Sequence, residues 1–186
     1  RRGADVHAEA TPHHFTLTED AVNGDDANFK INPPLRKADD VKALKEALAS
    51  GVIDVIATDH APHHIDDKNC EFAKAANGII GLETAFPLAV TELVEQGYLT
   101  PSQLVEKMSA NPAKILGIKK GQLTPGACAD ITIAKADEEY TIDVSKMVSK
   151  GKNTPFGGRK VKGKVLYTIV GGNVVVEDGN LVEEAK

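Results

Sequence analysis

The spacing of apolar positions predicts an alternation of strands and helices in the first part of the chain. Alternating apolar and polar residues predict a strand over residues 6–11, and a short apolar run predicts a second strand over residues 52–58. Between them lies a helical pattern that Asp39 or Asp40 can cap and that Gly51 ends. A strand, a helix and a strand within about fifty residues predict one right-handed βαβ unit.

Helical spacing returns in the middle of the chain. It predicts a helix over residues 82–96, which Pro87 should start or kink. Thr100, followed by proline, predicts the start of a helix over residues 104–108. Asn111, also followed by proline, predicts a further short helix that ends at the next glycine.

The last third of the chain is rich in Gly, Val, Ile and Thr, which favours strands. Two predicted strands, over residues 165–170 and 174–177, flank a Gly-Gly-Asn sequence that is typical of a β-hairpin. We therefore divide the chain into an α/β part, residues 1–119, and a β-rich part, residues 120–186.

Composition and charge exclude several classes of protein. The 186 residues are 41% hydrophobic, which is enough for a packed core, and the net charge of −5 argues against nucleic acid or an anionic membrane as partner. No apolar run approaches the length that a bilayer requires, and the first residues contain no apolar signal segment. Cys70 and Cys128 form no CxxC motif, so we expect free thiols in a reducing cytoplasm.

Candidate chemistry is concentrated where the second predicted strand ends. Asp59 would lie at the strand tip, where a carboxylate can bind a metal or take a proton, and His60 and His63 follow on the next loop. Each of these residues alone could belong to an ordinary solvated loop, but the cluster favours a functional site. Residues 60–78 are charged and lack apolar periodicity, which predicts a lid or a binding loop.

Five short motifs occur along the chain: NPPLR at 32–36, TDHAPH at 58–63, GLETAFP at 81–87, GKNTPF at 151–156 and VGG at 170–172. In this order they resemble the C-terminal part of a bacterial class I dihydroorotase, a cyclic amidohydrolase of pyrimidine biosynthesis. The resemblance implies a metal-dependent (β/α)₈ TIM barrel, with its last two strands and helices in residues 1–119. It places residues 120–186 in a small β-sandwich beside the barrel. The implied reaction is the reversible cyclisation of N-carbamoyl-L-aspartate to L-dihydroorotate with one or two zinc ions.

The same resemblance implies a role for five residues. Asp59 would be both a metal ligand and the general base, because a carboxylate beside a metal can take a proton from water and return it. Asn32 and His63 would contact the substrate. The backbone of Asn77 and Gly78 would close on the pyrimidine ring.

The remaining metal ligands of such enzymes, which begin with an HxHxR segment, are absent from this sequence. We expect them in a missing N-terminal part of the same protein, and we expect the 186-residue chain alone to be inactive. Residues 1–3, which resemble the end of a helix, favour the same interpretation.

Two other functions stay open at this point. A dihydropyrimidinase, hydantoinase or allantoinase would share the barrel and the acid, but Asn32 before two prolines and His63 after Asp59 favour dihydroorotase. A non-catalytic dihydroorotase-like subunit, which scaffolds aspartate transcarbamoylase, would tend to lose metal-site residues, so the retention of Asp59, Asn32 and His63 argues against it. The resemblance also leaves open a homodimer and an association with aspartate transcarbamoylase.

Several polar residues near the motifs have a simpler interpretation. We expect His13, His14 and His60 to be structural. Arg36 could bind a carboxylate or form an ion pair of the scaffold. Cys70 has no expected role, since activated water leaves no need for a nucleophilic thiol.

Overall fold

The computed structural model describes residues 4–182. Its first half contains two short parallel strands, β1 (Glu9–Ala10) and β2 (Val55–Ile56), which are connected through the main helix of this half, α2 (Ala38–Ala49). The predicted βαβ unit with parallel strands is therefore confirmed. Both strands are shorter than predicted, and β1 ends early because Pro12, which has no N–H, begins the next helix. The helix end expected at residues 1–3 lies outside the described residues.

Helix α2 begins before the predicted capping residues. Lys37 occupies the N-cap position, and no side chain caps the helix. Asp39 and Asp40 lie in the first turn instead, where their negative charges interact favourably with the positive end of the helix dipole. The prediction that one of them is the N-cap is thus wrong, while Gly51, at φ +76°, follows the helix as expected.

The predicted helix over residues 82–96 consists of α4 (Ala85–Ala89) and a π-helical turn (Val90–Val94). Pro87 lies in the first turn of α4, where a missing N–H costs no helical hydrogen bond. The hydroxyl of Thr91 donates to the Pro87 carbonyl and accepts the backbone N–H of Lys162, both at 2.8 Å. This turn is thereby joined to the β-rich part of the chain.

The next helical run is continuous: α5 (Pro101–Val105), a π-helical turn (Glu106–Ala110) and α6 (Asn111–Ile115). Thr100 and Gln103 form the capping box that the sequence predicts at its start. The predicted short helix is present as α6, and Gly117 follows it at φ +66°. Asn111 is not its N-cap, since its side chain donates to the Asp54 carbonyl at 2.9 Å and the helical run continues through it.

The shorter helical segments are α1 (Pro12–Thr16), α3 (Ile65–Lys68) and three 3₁₀ turns (Glu19–Ala21, Ala27–Phe29 and Val144–Lys146). Among residues 4–182, none of the helices combines the length and the apolar character needed to cross a membrane.

The β-rich part forms one antiparallel sheet in the order β3-β4-β5-β6, made of β3 (Ile131–Thr141), β4 (Lys160–Val170), β5 (Asn173–Glu177) and β6 (Asn180–Leu181). Gly171 and Gly172 connect β4 to β5 at φ +56° and +89°, which is the backbone sign that a two-residue hairpin turn requires. The predicted hairpin is therefore confirmed.

Two clusters of buried side chains stabilise the fold. The first lies among β1, β2 and the surrounding helices and consists of Ala10, Phe15, Leu48, Ile53, Ile56, Ala89, Val90, Leu93, Leu99 and Leu104. The second joins residues from both parts of the chain: Ile31, Leu35, Ile79, Leu88, Ile142, Phe156 and Val161. At Gly163 of β4 an added Cβ would lie 2.8 Å from a methyl of Val90, so the sheet packs closely on the π-helical turn. The two parts are separable in sequence but share a core.

Candidate active site

Asp59 follows β2 with an exposed side chain and a backbone φ of +48°. A residue with a Cβ adopts this left-handed conformation at a cost of ~1–2 kcal/mol, and such strain is concentrated at functional sites. The residue just before Asp59 is tightly packed: a Cβ added at Gly81 would lie 2.8 Å from the carbonyl oxygen of Thr58. Within the described residues, no hydrogen bond or ion pair engages the Asp59 carboxylate, which leaves it available for a ligand.

His60 has a structural role, as expected. Its Nδ1 accepts hydrogen bonds from the backbone N–H groups of Gly81 at 3.0 Å and Leu82 at 3.4 Å. Its backbone forms an isolated parallel bridge with Ile79. Because Nδ1 is an acceptor here, the proton of the neutral ring lies on Nε2. His60 therefore fixes the backbone just after Asp59.

His63 and Asn77, two of the predicted substrate residues, are in direct contact. The His63 ring donates from Nε2 to the Asn77 carbonyl oxygen at 2.9 Å, since a carbonyl can only accept. The Nδ1 atom of the neutral ring then carries a lone pair. The backbone N–H of His63 donates to the side chain of Asn153 at 3.0 Å. The loop therefore presents His63 in a fixed tautomer.

Gly78 is buried and both of its backbone polar groups are used. Its N–H donates to the Lys30 carbonyl at 2.9 Å, and its carbonyl accepts from Asn153 at 3.2 Å and from the Lys68 ammonium at 3.0 Å. The residue has φ +110°, and an added Cβ would lie 2.6 Å from the Cβ of Ala61. Only glycine fits this position. By contrast, the backbone N–H of its neighbour Asn77 has no partner within residues 4–182.

Lys68 is a buried lysine that the sequence analysis did not identify. Its ammonium donates to the carbonyls of Ala76 at 2.9 Å and Gly78 at 3.0 Å. Burial lowers the pKa of Lys68, and the charge of Lys30 lowers it further. A lysine in a charged loop gives no sequence signal of burial, because its partners are backbone carbonyls brought together by the fold.

Asn32 lies on an exposed loop and precedes a cis proline peptide bond. His14 secures this loop, since its Nε2 donates to the Pro33 carbonyl at 2.7 Å while its Nδ1 lies 2.5 Å from the Thr11 hydroxyl. The predicted structural role of His14 is confirmed. Within residues 4–182, no hydrogen bond joins the Asn32 side chain to the other predicted residues; two positions earlier, the Lys30 carbonyl accepts the N–H of Gly78.

His13 is also structural, with only 2% of its surface exposed. Burial, together with the neighbouring His14, lowers the pKa of His13 from 6.5 to about 3. Its Nε2 is buried and has no hydrogen-bond partner among the described residues. The ring therefore stays neutral at physiological pH and acts as a core side chain.

The loop over residues 60–78 contains more regular structure than its sequence predicts. It contains α3, whose N-cap His64 accepts the backbone N–H of Asp66, and the Lys30 ammonium binds the Ala73 carbonyl at 2.9 Å. An open cleft of about 790 Å³ adjoins the loop and is lined by residues 25–28, 62–65, 68–70 and 150–153. The cleft includes His63 but neither Asp59 nor Asn32.

Arg36 and Cys70 remain at the periphery. The Nε atom of Arg36, just before α2, lies 3.7 Å from a carboxylate oxygen of Asp40 in its first turn, and both side chains are exposed, as in an ordinary surface ion pair. Cys70 is an exposed free thiol.

The acidic and sulfur- or nitrogen-bearing side chains determine whether this part of the chain can hold a metal ion. Over residues 4–182, no group of three or more His, Cys, Asp or Glu side chains is arranged to hold a metal. Asp59 can offer one carboxylate, whereas a zinc site requires about three or four protein ligands. The described residues therefore do not form a complete zinc site on their own.

A comparison of the sequence with known families places these features in context. The pattern described as Amidohydrolase family matches residues 6–175, from just before β1 to the middle of β5. The chain belongs to the amidohydrolase family. The match covers the α/β part and most of the antiparallel sheet beside it.

Curated relatives of this amidohydrolase chain carry the name Dihydroorotase. The protein from Geobacter metallireducens is 59% identical over 174 residues, which are 94% of this chain and 41% of the relative. The protein from Acetivibrio thermocellus is 56% identical over 178 residues, 96% of this chain and 42% of the relative. The chain thus spans about two fifths of the length of the curated relatives that it matches.

Solved structures of similar fold include an L-hydantoinase (dihydropyrimidinase) from Arthrobacter aurescens. It is 37% identical, with a TM-score of 0.88 over 97% of this chain and 41% of that protein. A dihydropyrimidinase from Brevibacillus agri is 27% identical, with a TM-score of 0.90 over the same shares of the two chains. These values establish the amidohydrolase fold with its α/β content.

Proposed function

We propose that this chain is the C-terminal part of a dihydroorotase, which reversibly cyclises N-carbamoyl-L-aspartate to L-dihydroorotate in de novo pyrimidine biosynthesis. The observation that carries the proposal is the 53–59% identity to eight proteins named Dihydroorotase over at least 94% of the chain. The structural neighbours, which are named hydantoinases or dihydropyrimidinases, share only 26–37% of their residues with it. Sequence identity therefore favours dihydroorotase among the cyclic amidohydrolases.

The proposed architecture follows from this assignment. Residues 1–119 would contribute the last two strands and helices of a TIM barrel, and residues 120–186 would belong to a small β-sandwich. The parallel pair β1 and β2 supports the first part, because a two-stranded parallel sheet requires further strands to be stable. The missing N-terminal part of the same protein would supply them. We place the enzyme in the cytoplasm and expect the chain alone to be inactive.

Asp59 is the proposed general base and one metal ligand. One or two zinc ions, held mainly by residues outside this chain, would supply Lewis-acid polarisation of the reacting carbonyl. In ring opening, the Asp59 carboxylate takes a proton from the attacking water. It returns that proton to the ring nitrogen as the carbon–nitrogen bond breaks, which leaves N-carbamoyl-L-aspartate. The exposed, unpartnered carboxylate and its strained backbone support this role.

Asn32, His63, Asn77 and Gly78 are the proposed substrate residues. The amide of Asn32 and the Nδ1 atom of His63 can bind polar edges of the ring. The unpartnered N–H of Asn77 is the backbone donor left for a ring carbonyl. Gly78 contributes shape, since its own N–H and carbonyl are already hydrogen-bonded.

The decisive experiment is a substrate comparison with the full-length protein loaded with zinc. Initial rates would be measured for dihydroorotate, dihydrouracil, hydantoin and allantoin. We expect kcat/KM for dihydroorotate to exceed the others by about 100-fold or more, because a site built for the ring carboxylate leaves polar groups unpaired without it. A preference for dihydrouracil or hydantoin would identify a dihydropyrimidinase or hydantoinase.

Absence of turnover with all four compounds would favour a non-catalytic subunit. We propose a homodimer and an association with aspartate transcarbamoylase as the assemblies to examine. Sedimentation of the full-length protein, alone and with that enzyme, would test both.

A further inference from the structure

Asn153 has a buried side-chain amide that connects the two ends of the loop over residues 60–78. Only 6% of its surface is exposed. Its Oδ1 accepts the backbone N–H of His63 at 3.0 Å, while its Nδ2 donates to the carbonyls of Ala61 at 2.9 Å and Gly78 at 3.2 Å. Three of the four hydrogen-bonding sites of the amide are therefore used by backbone groups of this loop.

The segment that carries Asn153 fits closely against the loop. An added Cβ at Gly151 would lie 2.8 Å from the Cβ of Pro62 and 2.9 Å from the Oδ1 of Asn153. The backbone carbonyl of Asn153 accepts the N–H of Ile80 at 3.0 Å. The amide cannot move away from the loop without moving the backbone on both sides of it.

We propose that Asn153 is a positioning residue for the candidate active site: it holds His63 and the Asn77–Gly78 backbone at the separation needed to bind one ligand. It contacts neither the ligand nor the reacting atoms, and it acts through the backbone of the loop. The identity of the ligand rests on the function proposed above, whereas the hydrogen-bond geometry does not. Asparagine suits this position because it offers an acceptor to one N–H and two donors to two carbonyls. Aspartate offers no donor when ionised, and alanine offers neither group.

The first test compares two variants of the full-length zinc enzyme. Asn153→Ala should raise KM for dihydroorotate by about tenfold or more, while metal content stays normal and kcat falls by a smaller factor, because ligand contacts lose their spacing. Thr154→Val is the matched control. Thr154 is as buried as Asn153, but its hydroxyl accepts only the N–H of Phe156 within the same segment. The KM of Thr154→Val for dihydroorotate should therefore remain at the wild-type value.

The second test needs no turnover and measures amide hydrogen exchange by NMR. In Asn153→Ala the His63 amide should exchange about tenfold or more faster, because it has lost its acceptor. The Ile80 amide should keep its protection, because it donates to the backbone of residue 153. In Asn153→Asp the acceptor for His63 is retained and the donors are lost. This variant should therefore keep His63 protected and still raise KM.

The outcomes separate the two proposals. Failure of the wild-type enzyme to open dihydroorotate would remove the proposed function, and exchange at His63 would still decide on the contact made by Asn153. Faster exchange at His63 with an unchanged KM would show that Asn153 is merely structural. Unchanged exchange would overturn the inference altogether. If Asn153→Ala does not fold, the KM of Asn153→Asp decides in its place.

Discussion

The imidazole of His63 donates to the carbonyl oxygen of Asn77 at 2.9 Å, which couples two of the proposed substrate contacts. This bond fixes the ring tautomer, so that Nδ1 is the nitrogen available to a ligand. It also uses one lone pair of the Asn77 carbonyl. A substitution at His63 therefore also removes a hydrogen bond from the Asn77 backbone, so the two proposed substrate contacts depend on each other.

Removal of the proposed substrate contacts should weaken binding and leave the metal in place. In the full-length enzyme, His63→Ala and Asn32→Ala should each raise KM for dihydroorotate by about tenfold, because each removes a polar contact to the ligand. Metal content should be normal. Asp67→Ala, which truncates another exposed side chain of the same loop, is the control and should behave as wild type.

A low KM retained in both His63→Ala and Asn32→Ala would contradict their assignment to the substrate site.

Replacement of the proposed general base should affect the chemical step. Asp59→Asn keeps the size of the side chain and its tolerance of a positive φ, but it removes the charge and the proton acceptor. Loss of a general base typically lowers kcat by ~10²–10⁴, and weaker metal binding would add to this loss. Steady-state kinetics together with metal analysis would measure both effects. A near wild-type kcat would show that the acid at the end of β2 is structural.

Acid should destabilise the fold through His13. The pKa of His13 is about 3 in the folded protein and 6.5 in the unfolded chain, so the unfolded chain binds more protons between these values. Stability should be complete above pH 6.5 and should fall as the pH is lowered through this range. Between pH 7 and pH 5 this amounts to about 2 kcal/mol of unfolding free energy.

Urea unfolding of the full-length protein at both pH values, compared with His13→Leu, would isolate this contribution. The variant should lose the corresponding part of the pH dependence. Identical pH dependence in the two proteins would mean that other groups are responsible.

Ligand binding should slow exchange in the outer part of the loop. The ends are already anchored, since the Ala61 N–H donates to Ile79 at 2.8 Å and the Gly78 N–H donates to Lys30 at 2.9 Å. These two amides should be protected with and without dihydroorotate. Within the described residues, the amides of Cys70, Glu71 and Phe72 have no such bond, and they should become protected only when ligand is present. Equal exchange in both states would count against a lid.

Local signals in the sequence predicted local structure well. Thr100 with Gln103, and Gly171 with Gly172, form the capping box and the hairpin turn that their residue types favour. Their partners lie within a few residues, so no tertiary contact can overrule them. Asn111 shows the opposite case, because the distant Asp54 carbonyl binds its side chain and the helix continues through it.

The sequence predicted only those residues of the candidate site that lie in recognisable motifs. Asp59 and His63 stand out because acids and imidazoles cluster after an apolar run, although their roles remain predictions. Lys68 and Asn153 gave no comparable signal, since their partners are backbone groups that only the folded chain brings within reach. A buried lysine and a surface lysine are identical in a sequence.

The contact between His63 and Asn153 spans 90 positions of the chain. During synthesis at 5–20 residues per second, the ribosome adds Asn153 roughly 5–18 s after His63. Until then the loop over residues 60–78 lacks the Asn153 side chain that joins Ala61 and His63 to Gly78, even if β1, β2 and α2 have already formed. The loop therefore completes its contacts only after these 90 further residues have been added.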